Sequence, residues 1–270
     1  MFHNLAQLPR YRGLIQSLVA RELKARYRGS VLGFFWSFIN PLLLLLVYSF
    51  VFTYVMKGSN DPRIQPYALF MFCGILPWTW FASSLNEAAG VLISGGNLIK
   101  KVLFPAEVLP IVTVLSNMIH FIFGLVVLAG FLIYYQRPLH LSELALFPLV
   151  VLVQLILTTA FALLLSALTV HFRDIRDILS NLLTFWFFAT PIIYPYFLPL
   201  DPLNPGQWQA QVLKLNPFTH LAITYQEILF FEGPVGHFKL LLLLGAISVV
   251  FFLFCYFVFD RLRDTFAEEV

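Results

Sequence analysis

Charge is what this sequence has least of. Only 11% of its 270 residues are Asp, Glu, Lys or Arg, while 60% are apolar. A water-soluble domain carries roughly 25% charged residues, so this chain lacks the polar groups to cover its own surface in water. In lipid that surface is an advantage, and the mean hydropathy of +0.83 agrees. The net charge of +3 is too small for a nucleic-acid footprint, and no nucleic-acid partner is expected. Cysteine is scarce too. Cys73 and Cys255 both lie in apolar stretches, where a small buried thiol is the plain reading, and so low a count carries no signal of redox compartment.

Catalytic signatures are missing as well. The chain has no Walker-type phosphate loop, HExxH pair or GxSxG elbow. His3, His120, His140, His171, His220 and His237 are scattered without metal-ligand spacing. His120 reads as a hydrogen-bonded core residue. Glu87 is an intramembrane carboxylate and so a candidate by position, but a proton-driven pump would carry several. The expectation is a transport protein rather than an enzyme, with no cofactor or metal in this chain and its energy source elsewhere. The first 30 residues mix charged and apolar groups, so no cleaved signal peptide is expected.

What the sequence does have is long apolar runs. A bilayer-crossing helix needs about 20 mostly apolar residues, and six segments qualify: 31–56, 67–93, 111–135, 144–170, 178–194 and 238–259. The second is interrupted by Pro77, Asn86 and Glu87, and the fifth is short and ends in prolines. Twelve of the 17 Lys and Arg residues fall in 1–30, 94–110, 171–177 and 260–270, against five in the opposite loops. The positive-inside rule then puts both termini, including the 260–270 tail, in the cytoplasm. The fold expected is an all-α membrane protein of six transmembrane helices.

Three segments outside the spans carry patterns of their own. On a helical wheel of residues 10–28, Tyr11, Leu14, Ile15, Leu18 and Val19 share one side, and Arg10, Ser17, Arg21, Lys24 and Arg28 the other. Such a helix suits a membrane surface, and a plain topogenic flank remains the alternative. Glu22 and Arg26 fall on or near the apolar side, and Gly29, Ser30 and Gly33 let the chain turn into the first span. In 94–106, Leu98, Ile99, Val102 and Leu103 form an apolar side beside Lys100 and Lys101. That side needs something to dock on. Residues 195–237 are too long for a tight loop and too apolar for a disordered one, which suggests a re-entrant or outer-surface element packed on the bundle. Its second half, 218–231, predicts a short amphipathic helix with Leu221, Tyr225, Ile228 and Leu229 on one side.

Aromatic residues make up 17% of the chain. Phe34, Phe38, Leu45, Tyr48 and Phe52 recur at helical spacing in the first span, and the fifth offers Phe185, Trp186 and Phe188. Flat rings suit a sliding sugar polymer, but they also populate membrane interfaces and packing surfaces.

Five blocks, in order, carry a family resemblance. Residues 26–41 (RYRGSVLGFFWSFINP), Lys101–Pro110, Phe172–Asp174, Thr190–Pro195 and Leu215–Pro217 resemble ABC-2 type permeases that export O-antigen, capsular polysaccharide or teichoic acid. The resemblance implies a homodimer in the bacterial inner membrane, joined to two copies of a cytoplasmic ATPase subunit that binds ATP and Mg. It implies that residues 1–30 form an interfacial element touching the ATPase through Arg21, Lys24 and Arg28. It makes 94–106 a coupling helix, acting through Leu98, Ile99, Lys100, Lys101 and Leu103, and 195–237 a pair of re-entrant helices closing the exit. It favours Phe34, Phe38, Tyr48, Phe52 and Trp186 as lining the path of a lipid-linked polysaccharide. A drug or small-lipid exporter would share the fold. A membrane-embedded glycan transferase would need a cluster of carboxylates or His and Arg on one face, which the sequence does not present.

Overall fold

The computed structural model describes residues 8–51, 62–101, 104–137, 141–196 and 208–269. Among these, every regular element is helical. The reason lies in the apolar runs: without water, each backbone N–H and C=O must find its partner within the segment, and a helix supplies one. Among the described residues, the helices longer than one turn are α1 (Arg12–Arg26), α2 (Trp36–Phe50), α3 (Tyr67–Ser94), α4 (Gly96–Lys101), α5 (Val108–Tyr134), α6 (Phe147–His171), α7 (Ile175–Phe188), α8 (Trp208–Leu215), α9 (Pro217–Leu229) and α10 (Phe238–Leu262).

Among the described residues, four helices are long and apolar enough to cross a membrane: α3, α5, α6 with the turn before it, and α10. The 15-residue α2 and 14-residue α7 rise only about 22 Å each, short of the roughly 30 Å hydrocarbon core. Of the first expected span, 31–56, the helix begins at Trp36, and residues 52–56 lie outside the described residues. The fifth, expected at 178–194, begins earlier and ends at Phe188.

The centre of the bundle is α3, which packs on α5, α6, α7 and α9. Pro77 does not break it, and the helix runs unbroken from Tyr67 to Ser94. Pro77 is tolerated because it is buried against protein, whereas Asn86 and Glu87 are exposed. Gln154 of α6 donates to the Pro77 carbonyl at 2.8 Å, and the Trp80 indole donates to the Val114 carbonyl at 3.1 Å. Helix α5 approaches closely at Gly124, where a Cβ would come within 2.5 Å of Leu76; small residues permit such contact between membrane helices.

The expectation of an amphipathic helix over 218–231 is corrected. Helix α9 is buried on all sides from Leu221 to Leu229, among α3, α6 and α10. Its start is fixed by Asn216, which accepts from the Phe218 N–H at 3.0 Å. The Asn216 amide donates to the Ala189 carbonyl and to Thr190 Oγ1 at 3.1 and 2.9 Å. Two of the sequence blocks, 190–195 and 215–217, thus meet at one polar knot.

One end of the bundle gathers segments distant in sequence. Leu18 and Val19 of α1 pack on Val108 and Val112. Phe259 and Phe266 pack with Leu92, Ala106 and Leu109, and His171 reaches Thr265 at 3.0 Å. The turn from α1 into α2 passes through Gly29 and Gly33 at φ +83° and +49°, conformations that favour glycine.

Candidate functional site

Two helices present open faces of different chemistry. On α10, the exposed residues include Leu243, Ile247, Val250, Phe254 and Phe257, all apolar. On α7, exposed Ile178, Leu182, Phe185 and Phe188 are interleaved with exposed Ser180, Asn181 and Thr184. Asn181 spends one amide hydrogen on the Asp177 carbonyl at 3.2 Å, and Thr184 bonds the Ser180 carbonyl at 3.0 Å. The second amide hydrogen and the amide oxygen of Asn181 have no such use, and hydrocarbon would leave them unpaired. The α7 face therefore suits water, a polar ligand or another chain. Helix α2 and the turn before it expose Phe35, Asn40, Val47 and Phe50.

The aromatic residues singled out from spacing divide. Phe38 is half-buried, its ring 4.7 Å from Phe123 of α5, and Tyr48 is packed against the core. Trp186 turns inward: its indole donates to Asn216 at 2.8 Å, and its ring meets those of Trp78, Phe81 and Phe161. The neighbours Phe185 and Phe188 hold the open face, 72% and 58% exposed. The Phe34 side chain and all of Phe52 lie outside the described residues.

Beneath α1 lies a polar chamber of about 790 Å³, lined by α1, α3, α5 and α7. Arg26 and Glu87 of its wall belong to a closed triangle. Arg26 pairs with Glu87 of α3 and donates to Asn117 Oδ1 of α5 at 3.2 Å. Asn117, 4% exposed, donates back to Glu87 at 2.8 Å. Arg176, Asp177 and Ser180 bring α7 to the same chamber. Behind Arg26 and Asn117, a second cavity of about 330 Å³ reaches Trp36, Ser37 and Asn40 of α2. Here Ser37 donates to the Tyr27 hydroxyl at 3.0 Å, and that hydroxyl lies 3.3 Å from His120 Nδ1. The anomalous place of Arg26 on the apolar side of the wheel has its explanation: the side chain reaches inward to an acid. Two misplaced charges of opposite sign, one on the surface helix and one in a span, were the available signal for this pair. Nothing in the sequence pointed to Asn117.

At the same end, α1 leaves Arg21 and Lys24 exposed, and the turn after it Arg28. The apolar side of α4 docks on another part of the same chain. Leu98 and Ile99 pack against the cluster holding Phe259 and Phe266, because the last turns of the chain fold back over this loop. Lys100 stays exposed; the Lys101 side chain and Leu103 lie outside the described residues. Among the described residues no group of three His, Cys, Asp or Glu is placed to hold a metal.

Comparison with known proteins gives this geometry a relation. The profile of the ABC-2 type transporter family matches residues 13–230. The O-antigen export system permease protein RfbA of Myxococcus xanthus is 43% identical over 271 positions, covering 100% of both chains. An O-antigen export system permease protein RfbA of Klebsiella pneumoniae is 31% identical over 257 positions, covering 94% of each. The polysialic acid transport protein KpsM of Escherichia coli is 24% identical over 79% of this chain and 80% of its own. With the family match running from α1 to the end of α9, the chain belongs to the ABC-2 type transporter family.

Proposed function

We propose that the chain is the membrane-spanning permease subunit of an ATP-driven exporter. Its substrate is a lipid-linked polysaccharide of the O-antigen, capsule or teichoic-acid kind, moved from the cytoplasm across the bacterial inner membrane. The observation that carries this reading is the open face of α7, where Phe185 and Phe188 alternate with Asn181 and Thr184. A polymer of hydroxyl-bearing rings needs a path that holds it loosely at many points, and stacking rings beside hydrogen-bonding groups supply one. The named functions of the full-length relatives agree. One copy leaves this face and that of α2 uncovered, so we infer a homodimer enclosing the path between them.

In this reading α2 and α7 join the four long helices to make six crossings, and the Lys and Arg bias sets both termini in the cytoplasm. The chain has no phosphate-binding loop, so ATP and Mg belong to two copies of a separate ATPase subunit. Exposed Arg21 and Lys24 on α1, Arg28 in the turn after it and Lys100 on α4 are the surfaces offered to it. The Arg26–Glu87 pair would carry movement of α1 into α3. Helices α8 and α9 form the re-entrant pair that closes the outer end. Deleting the chain from its own cells should abolish surface polysaccharide and leave polymer inside, with wild type restoring export. Unchanged surface polysaccharide in the deletion would overturn the reading.

A further inference from the structure

At the end of the bundle opposite α1, a cavity of about 470 Å³ lies between α8, α9 and the first turns of α10. One wall is hydrocarbon. Leu240, Leu243, Leu244 and Ile247 are spaced three and four apart and so share one side of α10. Leu240, Leu243 and Ile247 are 41%, 56% and 54% exposed, and they continue the apolar face of α10. The cavity therefore opens sideways onto the surface that suits lipid.

The other wall sets four polar side chains among Leu215, Pro217 and Ile223. Lys214 lies in the last turn of α8, Thr219 and His220 in the first turn of α9, and His237 just before α10. Thr219 is 1% exposed, yet its hydroxyl has no hydrogen-bond partner. His237 commits Nδ1 to the buried Glu227 at 2.7 Å, which leaves Nε2 for another group. His220 Nε2 bonds the Lys214 carbonyl at 2.9 Å, and burial holds this imidazole below its ordinary pKa. Lys214 is then the fixed cation of the group, and it forms no ion pair among the described residues.

We propose that this cavity binds an anionic phospholipid of the surrounding bilayer, one acyl chain lying along Leu240–Ile247 and the phosphate meeting Lys214 and His237. A soluble anion would gain nothing from the leucine wall. A neutral hydrocarbon would leave Lys214 and Thr219 without partners in an apolar setting. Only an amphiphile answers both walls, and the lateral opening gives it a way in from the bilayer. Because the contacts of α8 are chiefly with α9, the lipid would also brace the short helices against α10. The inference rests on the chain's place in a membrane and not on what it exports.

The test uses the full-length chain, purified in detergent, delipidated and titrated with defined lipids under native mass spectrometry. Phosphatidylglycerol should be retained at one molecule per chain, and phosphatidylcholine, which has the same phosphate but a choline cation that opposes Lys214, about tenfold more weakly. Lys214→Gln should remove most of that preference. Leu243→Trp, which fills the crevice, should abolish retention of both lipids, while Val250→Ala on the open face of α10 should change nothing. A photoreactive phosphatidylglycerol should crosslink within 208–247. Equal retention of the two lipids by wild type would overturn the proposal, as would a Lys214→Gln variant that keeps the preference. Displacement of phosphatidylglycerol by a polyprenyl phosphate at stoichiometric concentration would also overturn it, by giving the site to the carrier lipid. Crosslinking of 208–247 to a second copy would do the same, by making the crevice an interface. None of these outcomes depends on export, so they leave the exporter reading to its own test.

Discussion

Helices α7 and α10 both show the outside of the bundle a row of large apolar side chains, and only one of the rows is pure. Along α10, the exposed side chains from Leu243 through Ile247 and Val250 to Phe254 are all apolar, with Lys239 and Arg261 at the two ends of the helix; along α7, Ser180, Asn181 and Thr184 sit between Ile178, Leu182 and Phe185. In water such a difference would mean little, since exposed polar groups need no partner. In a bilayer it separates a face made for hydrocarbon from a face made for something else. The same logic inverts hydropathy. Of the four long spans, α3 is the least apolar and the most buried, and α10 the most apolar and the least buried. The polar side chains of a membrane helix go to protein, and the apolar ones are left for lipid.

Within α7 itself the two sides separate sharply, which sets the largest expected effect. Trp186→Ala empties a site lined by three rings and removes the bond to Asn216, which should cost about 3–5 kcal/mol. Phe185→Ala, one residue away and 72% exposed, should cost under about 1 kcal/mol and still lower export. Apparent melting midpoints of the purified variants, read beside surface polysaccharide, decide this. Equal destabilisation by the two would mean that both rings are packing.

The comparison between helices breaks most directly with arginine. At Val250 it faces hydrocarbon and should hinder insertion by roughly 2.5–3.5 kcal/mol. At Asn181 the chain should insert normally and fail in export. Extraction of membranes with alkali measures the first, and polymer at the cell surface the second. Rejection of both variants from the membrane would show that α7 faces lipid after all.

How much of this was legible beforehand follows from what each signal depends on. Long apolar runs fix α3, α5, α6 and α10 because the hydrophobic thickness sets a minimum length. The wheel of residues 10–28 put Leu14, Ile15, Leu18 and Val19 together, and they do share the side packed on α5. Spacing says which residues share a face but not what the face meets. Phe38 and Tyr48 followed the aromatic rhythm and pack on neighbouring helices, and the Leu98–Ile99 side of α4 found the end of its own chain. The Arg26–Glu87–Asn117 triangle joins residues 61 and 91 positions apart, and no local pattern contains it.

That triangle gives a smaller, sharper test. Glu87 keeps 38% of its side chain exposed and Arg26 25%, so solvent screens the pair, and Arg26→Gln or Glu87→Gln alone should cost on the order of 1 kcal/mol. The effect on coupling should be larger than the effect on stability. With the ATPase bound, either variant should hydrolyse ATP with reduced export, and the swap Arg26→Glu with Glu87→Arg should recover part of it. A swap no better than the single variants would reduce the pair to a local contact.

The smallest expected change in stability belongs to Asn181→Leu. The substitution keeps approximate size, removes the amide and makes the α7 face resemble that of α10. If the face meets water and polymer, as proposed, burying nothing new should leave the melting midpoint within an equivalent of about 0.5 kcal/mol. The Asp177 carbonyl loses the side-chain bond at 3.2 Å but keeps its helical one, so little is exposed to penalty. Export should nevertheless fall, because a hydroxyl-rich chain moving past Phe185 and Phe188 loses a hydrogen-bonding group that travels with neither ring. If the face meets lipid, the signs reverse: removing an unpaired amide from hydrocarbon should stabilise the protein by about 1 kcal/mol or more and leave export as it was. The two measurements on one variant therefore point in opposite directions under the two assignments, and a stabilised protein with normal export would move the polymer's path away from α7.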